Sequence, residues 1–573
     1  NKKIMSKFQQ KQKYSFNIFH LISLTLVINI FQMIDMLSCG PAMTFSTNNL
    51  KLAANFTGDD RTILKNLGCL GYIYSTILAM VSFAFFTSID AGIMAGPIVE
   101  SLKPMVEAYA TTILEHTNTV NGYYTNLFLH LTVTAIGFSM FSLLLYLTNR
   151  AHILGLAPKS VINGILAGIG LGQLSIGLDC IEWSKDTFTP GHDMFFKTRN
   201  LTIALVLAVI GYCILERYFS HLDFLIPLYF LCLIILFYII SPFIYGRSNF
   251  FQSVRNDNWI DSPEEIIYPN YIYKRLEWST ISWSLLFKNG IKILSMILLS
   301  SVHIAVNLPA YKMATGITFN FTKELRTQGL GNLFTFCPAY FICSYSIAAF
   351  KCGGKKRFYS IIGGASLIGV ALYGVMIKGY IPKFALGLVP GIMFVGFITS
   401  AFFNTLWFIS PHEYLISVLT TTIVKLPMFI KALPHWWGDY SYPLAFVFGS
   451  TAYLIMFGIF STINRRTGIK NIEKKEIPQN TGLIVINHML WFLTANTFEN
   501  SIKNIEEKNI VIDLQGCSTI DWICQDVLMN ACEKYERVTV IGHPISFRKY
   551  RFAQVANFFY FSDKQEYLSC PCE

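Results

Sequence analysis

Two stretches, "DAGIMAGPIVESLKPM" (Asp90–Met105) and "FCPAYFICSYSIAAFKCGG" (Phe336–Gly354), set Gly or Pro in apolar surroundings just ahead of a short helical run. In hydrocarbon, a backbone that is neither helix nor closed sheet persists only where it lines a cavity or is buried in protein. The free N–H groups and positive dipole end of a half-helix starting there can hold an anion without any lysine. One such break in each half of a chain is the pattern of inverted repeats that share a binding site at the membrane midplane. The half-helices would begin near Pro97 and Ser344, which makes Gly96, Ser344 and Ser346 suitable ligand contacts, with Pro97, Ile98 and Cys343 beside them. A pair of proline kinks in ordinary spans is the plainer alternative. A third stretch, "MIDMLSCG" (Met33–Gly40), puts a carboxylate, Asp35, inside an apolar run. Ionisable residues at that depth are usually functional, but they also pair between helices, so Asp35 is either a functional group or a structural one that caps a broken backbone or pairs with Lys103 or Lys312.

These features need spans to position them. The 573 residues are 53% hydrophobic and only 14% charged, too apolar for a soluble protein of this size, and the reading is an all-α polytopic membrane protein. The 13 cysteines follow neither a disulfide framework nor a zinc-ligand spacing. The formal charge of +11 comes from basic residues gathered beside apolar runs, which is a topology signal and not a nucleic-acid footprint. No phosphate loop, nucleophile–base–acid arrangement or cofactor motif is present, and an enzyme is the least supported class.

Apolar stretches divide the chain into a basic arm (1–16), a first membrane unit (17–243), an extramembrane loop (244–288), a second membrane unit (289–466) and a C-terminal region (467–573). The membrane units hold 14 full or partial crossings, seven in each. Lys2, Lys3 and Lys7 before the first span, Lys355, Lys356 and Arg357 after the tenth, and Arg465 and Arg466 after the last place both termini on one side. The C-terminal "KNIVIDLQGCSTIDWICQDVLMNACEKYERVTVIGHP" reads as strand, loop, helix and strand, a small soluble α/β unit. The lysine-rich start leaves a targeting segment open. Lys312, late in the eighth span, reads as a snorkelling residue more than a counter-ion.

Several motifs resemble the sulfate permease (SulP) family. "MIDMLSCG" is similar to the first-span motif IPQALSYA, and closer to the LDALSYG form of fungal, protist and some bacterial members. "PKSVINGILAGIGLGQLSIGL" resembles the fifth-span pattern PxPVIxGFLAGxGxxL. "TKELRTQGLGNLFTF" is similar to NRELRAAGLANLLAG, and "PAYFICSYSIAAFKCGGKKR" aligns without gaps to PGYxSLSxSxxAxRxGxRSR. The tail resembles a STAS domain. The matches span nearly the whole chain.

The resemblance implies a seven-plus-seven inverted repeat divided into core and gate bundles, usually homodimeric, with inorganic anions held between the third and tenth segments and carried by an elevator motion. It puts Asp35 where the family has glutamine, Cys39 at an aromatic position, Ser344 at the site serine and Tyr345 at an arginine of prestin-like members. The family's carboxylate in span eight falls near His303–Asn307, where this chain has no acid. Asp35, with Glu100, is then the candidate group that couples anion movement to protons. In the C-terminal unit, Asp521-Trp522-Ile523-Cys524 replaces the phosphorylatable D-S-S-G loop, so Trp522 and Ile523 read as a dimer or partner surface unless buried on their own sheet. Two functional readings follow: secondary transport of sulfate, chloride, bicarbonate or a similar anion, by exchange or proton symport, or a transport-inactive subunit keeping the fold inside a larger membrane assembly. The LDALSYG-like subgroup includes vacuolar-type members and the lysine-rich start leaves mitochondrial targeting open, so the membrane stays open among vacuolar or other endomembranes, the plasma membrane and the mitochondrial inner membrane.

Overall fold

The computed structural model describes residues 18–46, 58–150, 158–181, 192–219, 225–246, 250–262, 270–317, 319–406, 409–429, 435–463, 473–478, 480–491, 494–542 and 555–569, with a few isolated residues in the gaps. The basic arm and the Arg465–Arg466 pair lie outside them. The first membrane unit runs α1 (Ile18–Cys39), α2 (Asp59–Phe86), β1 (Ala95–Pro97), α3 (Val99–Leu114), α4 (Val120–Leu147), α5 (Lys159–Cys180), α6 (His192–Phe219) and α7 (Leu225–Tyr245). After several short helical segments the second runs α8 (Gly290–Thr315), α9 (Phe321–Asn332), β2 (Ala339–Phe341), α10 (Cys343–Lys351), α11 (Phe358–Lys378), α12 (Leu388–Ile398), α13 (Pro411–Phe429) and α14 (His435–Ile463). Among the described residues, nine helices are long and apolar enough to cross a membrane. Each unit thus places a three-residue strand just ahead of its third helix.

Pro and Gly make those breaks. Pro97 and Pro338 bring no N–H to a helical ladder, and the segments Ala95–Pro97 and Ala339–Phe341 instead pair antiparallel, with Gly96 opposite Tyr340. All six strand residues are buried, so every backbone group needs a protein partner. The ladder is extended by Ile342 N–H donating to Met94 O (2.9 Å) and Ile98 N–H to Pro338 O (3.0 Å). Side chains complete it: Ser346 Oγ accepts from Met94 N–H (2.8 Å), Ser360 Oγ from Ile93 N–H (2.8 Å), and Asn332 Oδ1 from Ala339 N–H (2.7 Å). Glu324 closes the loop after α2, accepting from Thr87 Oγ1 (2.9 Å) and Ser88 N–H (2.7 Å), a structural role for the "ELR" acid.

The helices pack as two sets. In one, α1, α2 and α11 pack together and α9 bridges α2 and α4; in the other, α5 packs on α12 and α13, and α13 on α14. Small residues let α5 approach closely. A Cβ at Gly164 would lie 2.5 Å from the Ser417 carbonyl, and one at Gly168 2.7 Å from Val424.

The C-terminal unit is a four-stranded parallel sheet in the order β3 (Thr481–Val485), β4 (Asn509–Asp513), β5 (Arg537–Ile541), β6 (Phe558–Phe561), with helices α15 (Ala495–Lys503), α16 (Trp522–Lys534) and α17 (Lys564–Ser569). Strands β3 and β6 add to the strand–helix–strand core legible in the sequence. Ile510, Ile512, Val538 and Val540 are fully buried, as central parallel strands require. Trp522 and Ile523 do not form a free partner surface. Trp522 is buried, its backbone N–H donates to Glu413 Oε1 on α13 (3.0 Å), and the Lys159 ammonium of α5 lies 4.3 Å over its ring. The loop is packed on the chain's own membrane helices because its N-cap acid and apolar side chains find donors and cover there.

Candidate functional site

The N-terminal ends of α3 and α10 follow directly from the paired strands, so the β1–β2 ladder sets both half-helices at one place. Helix α1 brings Asp35 there, 3% exposed. The Tyr345 hydroxyl, in the first turn of α10, donates to its Oδ1 at 2.8 Å, and the Tyr72 hydroxyl of α2 to its Oδ2 at 3.4 Å. Phe31, one turn back on α1, stacks on the Tyr345 ring at 4.4 Å. Glu100 lies in the first turn of α3, where the helix dipole favours a carboxylate. Its Oε1 accepts from the Tyr340 hydroxyl of β2 at 3.0 Å, while its Oε2 is buried without a partner among the described residues. The His303 ring of α8 meets Tyr340 edge-on at 5.5 Å. Gln32 Oε1 lies 3.7 Å from where a Cβ on Gly96 would stand, so the strand glycine leaves room beside it.

Among the described residues, neither Asp35 nor Glu100 has an ion-pair partner. Lys103 does not reach Asp35: it pairs with Asp179 and donates to Ser175 Oγ (2.7 Å), both on α5, tying α3 to the second helix set. Lys312 is exposed in the last turn of α8, where a snorkelling side chain sits.

The remaining sequence candidates divide. Ser344 is exposed at the start of α10. Ser346 is fully buried and spends its hydroxyl on Met94, a structural use in place of a ligand contact. Gly96, Pro97, Ile98, Cys39 and Cys343 are buried around the strand pair and the α1 terminus. Asn307 turns its amide onto the His303 carbonyl of its own helix (2.9 Å), not toward the strands. Sequence reasoning did not single out Tyr72, Tyr340, His303 or Gln32. Tyr340 carried a usable signal, since it lies within the second broken stretch.

A cleft lined by Leu37, Ser38, Pro41, Lys65, Asp179 and Lys378 opens at the C-terminal end of α1, between the helix sets. It ends within one helical turn of Asp35.

A family model described as the sulfate permease family matches residues 62–420. Among solved structures, the transmembrane domain of a cyanobacterium bicarbonate transporter, BicA, is similar at 14% identity and TM-score 0.51, covering 76% of this chain and 97% of that one. The murine Solute Carrier 26 family member A9 anion transporter in the inward-facing state is similar at 12% identity and TM-score 0.51, over 97% of this chain and 92% of that one. A second structure of SLC26A9 gives 12% identity and TM-score 0.52 over 96% and 90%. At these identities the likeness is one of fold. No curated protein matches the chain. With the family model covering more than half of its length, the chain belongs to the sulfate permease family.

Proposed function

We propose that the protein is a secondary transporter of inorganic oxyanions or halides, working as an elevator in which the set carrying α1, α3, α8 and α10 moves against the set carrying α5, α12, α13 and α14. The 14 segments form a seven-plus-seven inverted repeat in this reading, the chain is a homodimer, and the C-terminal unit is a STAS domain of an LDALSYG-type member. The observation that carries it is the pair of half-helix N-termini set together by the β1–β2 ladder, a geometry suited to anions. Asp35 takes the role of proton-coupling group in this reading, with Glu100 beside it as the second candidate, since a fixed charge beside an anion site is tolerated in transport when a proton neutralises it. Transport of labelled sulfate and chloride into liposomes holding the purified protein, with and without a pH gradient and with Ser344→Trp as blocked-site control, tests it. Uptake abolished by Ser344→Trp supports transport; loss of gradient dependence in Asp35→Asn supports the coupling role.

A second reading, a transport-inactive subunit of a membrane assembly, is favoured by one feature. The tyrosine hydroxyls nearest the half-helix ends are already engaged by the chain's own carboxylates. Failure of every anion to enter, from well-folded protein, would turn the question to its partners.

A further inference from the structure

Tyr340 stands between two side chains that each keep one polar atom unpaired. Among the described residues, Glu100 Oε2 and His303 Nε2 are buried without a hydrogen-bond partner, on residues only 7% and 3% exposed. They come from opposite halves of the chain, α3 and α8, and both adjoin Tyr340, which donates to Glu100 Oε1 and meets the imidazole edge-on. Buried polar atoms are nearly always satisfied, so an acceptor and a ring nitrogen left open beside the same tyrosine call for something that fits both. A carboxylate oxygen can only accept; the imidazole, in the tautomer carrying its proton on Nε2, donates.

We infer that Glu100, ionised while Asp35 carries the coupling proton, forms with His303 a specificity pair for an oxyanion that carries its own hydroxyl proton, of the hydrogencarbonate or dihydrogenphosphate type. The ligand's O–H donates to Glu100 Oε2, one of its oxygens accepts from His303 Nε2–H, and its charge is met by the N–H ends of α3 and α10. A halide has no proton to give, so Glu100 Oε2 stays a bare acceptor beside a bound negative charge. Nitrate, planar like hydrogencarbonate but without a hydroxyl, leaves Glu100 unpaired. A site built to bond a hydroxyl rejects the analogue that lacks it, because a buried partner is then stranded. The inference rests on the anion-site reading above and narrows it to a substrate class.

Thermal stabilisation of the purified full chain in detergent, by hydrogencarbonate, nitrate and chloride at matched pH and ionic strength, gives an apparent Kd for each. Hydrogencarbonate binding at least tenfold tighter than nitrate and chloride is the expected result. Glu100→Gln, whose amide can donate to nitrate, should bring the nitrate ratio down at least tenfold. A wild-type ratio below tenfold, no stabilisation by any of the three, or an unchanged ratio in folded Glu100→Gln overturns the inference. The wild-type ratio decides alone if the variant does not fold. Uptake into liposomes separates the two readings: discriminating binding without uptake strikes transport and leaves the pair standing, whereas uptake of chloride and nitrate as fast as hydrogencarbonate strikes the pair and leaves transport standing.

Discussion

The Tyr345 hydroxyl donates to Asp35 Oδ1 at 2.8 Å, joining residues 310 positions apart and tying the first helix to the start of the half-helix α10. In this pair the charge and the hydrogen bond separate cleanly by mutation. Asp35→Asn keeps an oxygen for Tyr345 and removes the charge. It should fold and lose the pH-gradient dependence of uptake. Tyr345→Phe removes the donor and strands a buried carboxylate oxygen, a loss of about 2 kcal/mol, read as a lower Tm in detergent. Unchanged gradient dependence in Asp35→Asn would remove Asp35 from proton coupling.

The breaks that make the site were legible because Gly and Pro announce them locally. The residues that meet there were harder to read. Tyr345 stood out in the sequence as a departure from an arginine, and nothing local said that its hydroxyl would reach Asp35 on the first helix. Glu100 was legible as an acid near the site, but its partner Tyr340 follows from a strand register that no local periodicity encodes. Lys103 was a reasonable partner for Asp35 by depth, yet it points from α3 across to Asp179. Helix spacing fixes a residue's height, while the choice between two acids at one height is made by tertiary packing. For the C-terminal loop, the amino acids showed that the phosphorylatable serine was gone but not that the chain's own helices cover it.

The Lys103–Asp179 pair is the next test of how the two helix sets are held. Lys103 is 3% exposed and Asp179 20% at the side chain. Removing one partner of a buried pair leaves an uncompensated charge, so Asp179→Asn should cost about 3 kcal/mol of thermal stability. Lys103→Met combined with Asp179→Leu should recover most of it. A double-mutant cycle with no coupling energy would show that the pair does not hold α3 to α5.

Close approach of α5 to α13 gives a steric prediction with its own control. At Gly164 a methyl group would meet the Ser417 carbonyl at 2.5 Å and Thr420 Cβ at 2.6 Å, and backbone cannot yield cheaply. Gly164→Ala should therefore destabilise by about 1–3 kcal/mol. Gly369, inside α11, has none of the described residues within 4 Å of its missing Cβ, so Gly369→Ala should hold or raise the Tm through helix propensity.

Burial pushes the Cys532 thiol of α16 up to about 11. The folded state therefore holds this proton where an unfolded chain, with an ordinary thiol near about 8.5, has begun to lose it. Stability from this group is complete below the unfolded value and is lost as pH rises through about 11. Alkylation of Cys532 by a small maleimide at pH 8 should run at least a hundredfold slower than that of a free thiol and quicken roughly tenfold per pH unit, because the thiolate is the nucleophile. Reaction at the free-thiol rate in folded protein would show that the α16 face opens.

Docking of the C-terminal unit is decided by its buried contacts. Asp521 caps α16, its Oδ1 accepting from Cys524 N–H at 2.8 Å, and its Oδ2 accepts from the Tyr453 hydroxyl of α14 at 2.8 Å. Beside it Glu413 Oε1 accepts from Trp522 N–H, and Lys159 pairs with Asp526 across side chains that are 39% and 29% exposed. Tyr453→Phe removes a donor from a buried carboxylate and should weaken docking by about 1–3 kcal/mol, seen as faster amide exchange across Trp522–Lys534. Asp526→Asn breaks only the exposed pair and should shift exchange by less than about 1 kcal/mol. If Asp526→Asn releases the unit as readily as Tyr453→Phe, the contact is an electrostatic one at the surface, and added salt should release it as well.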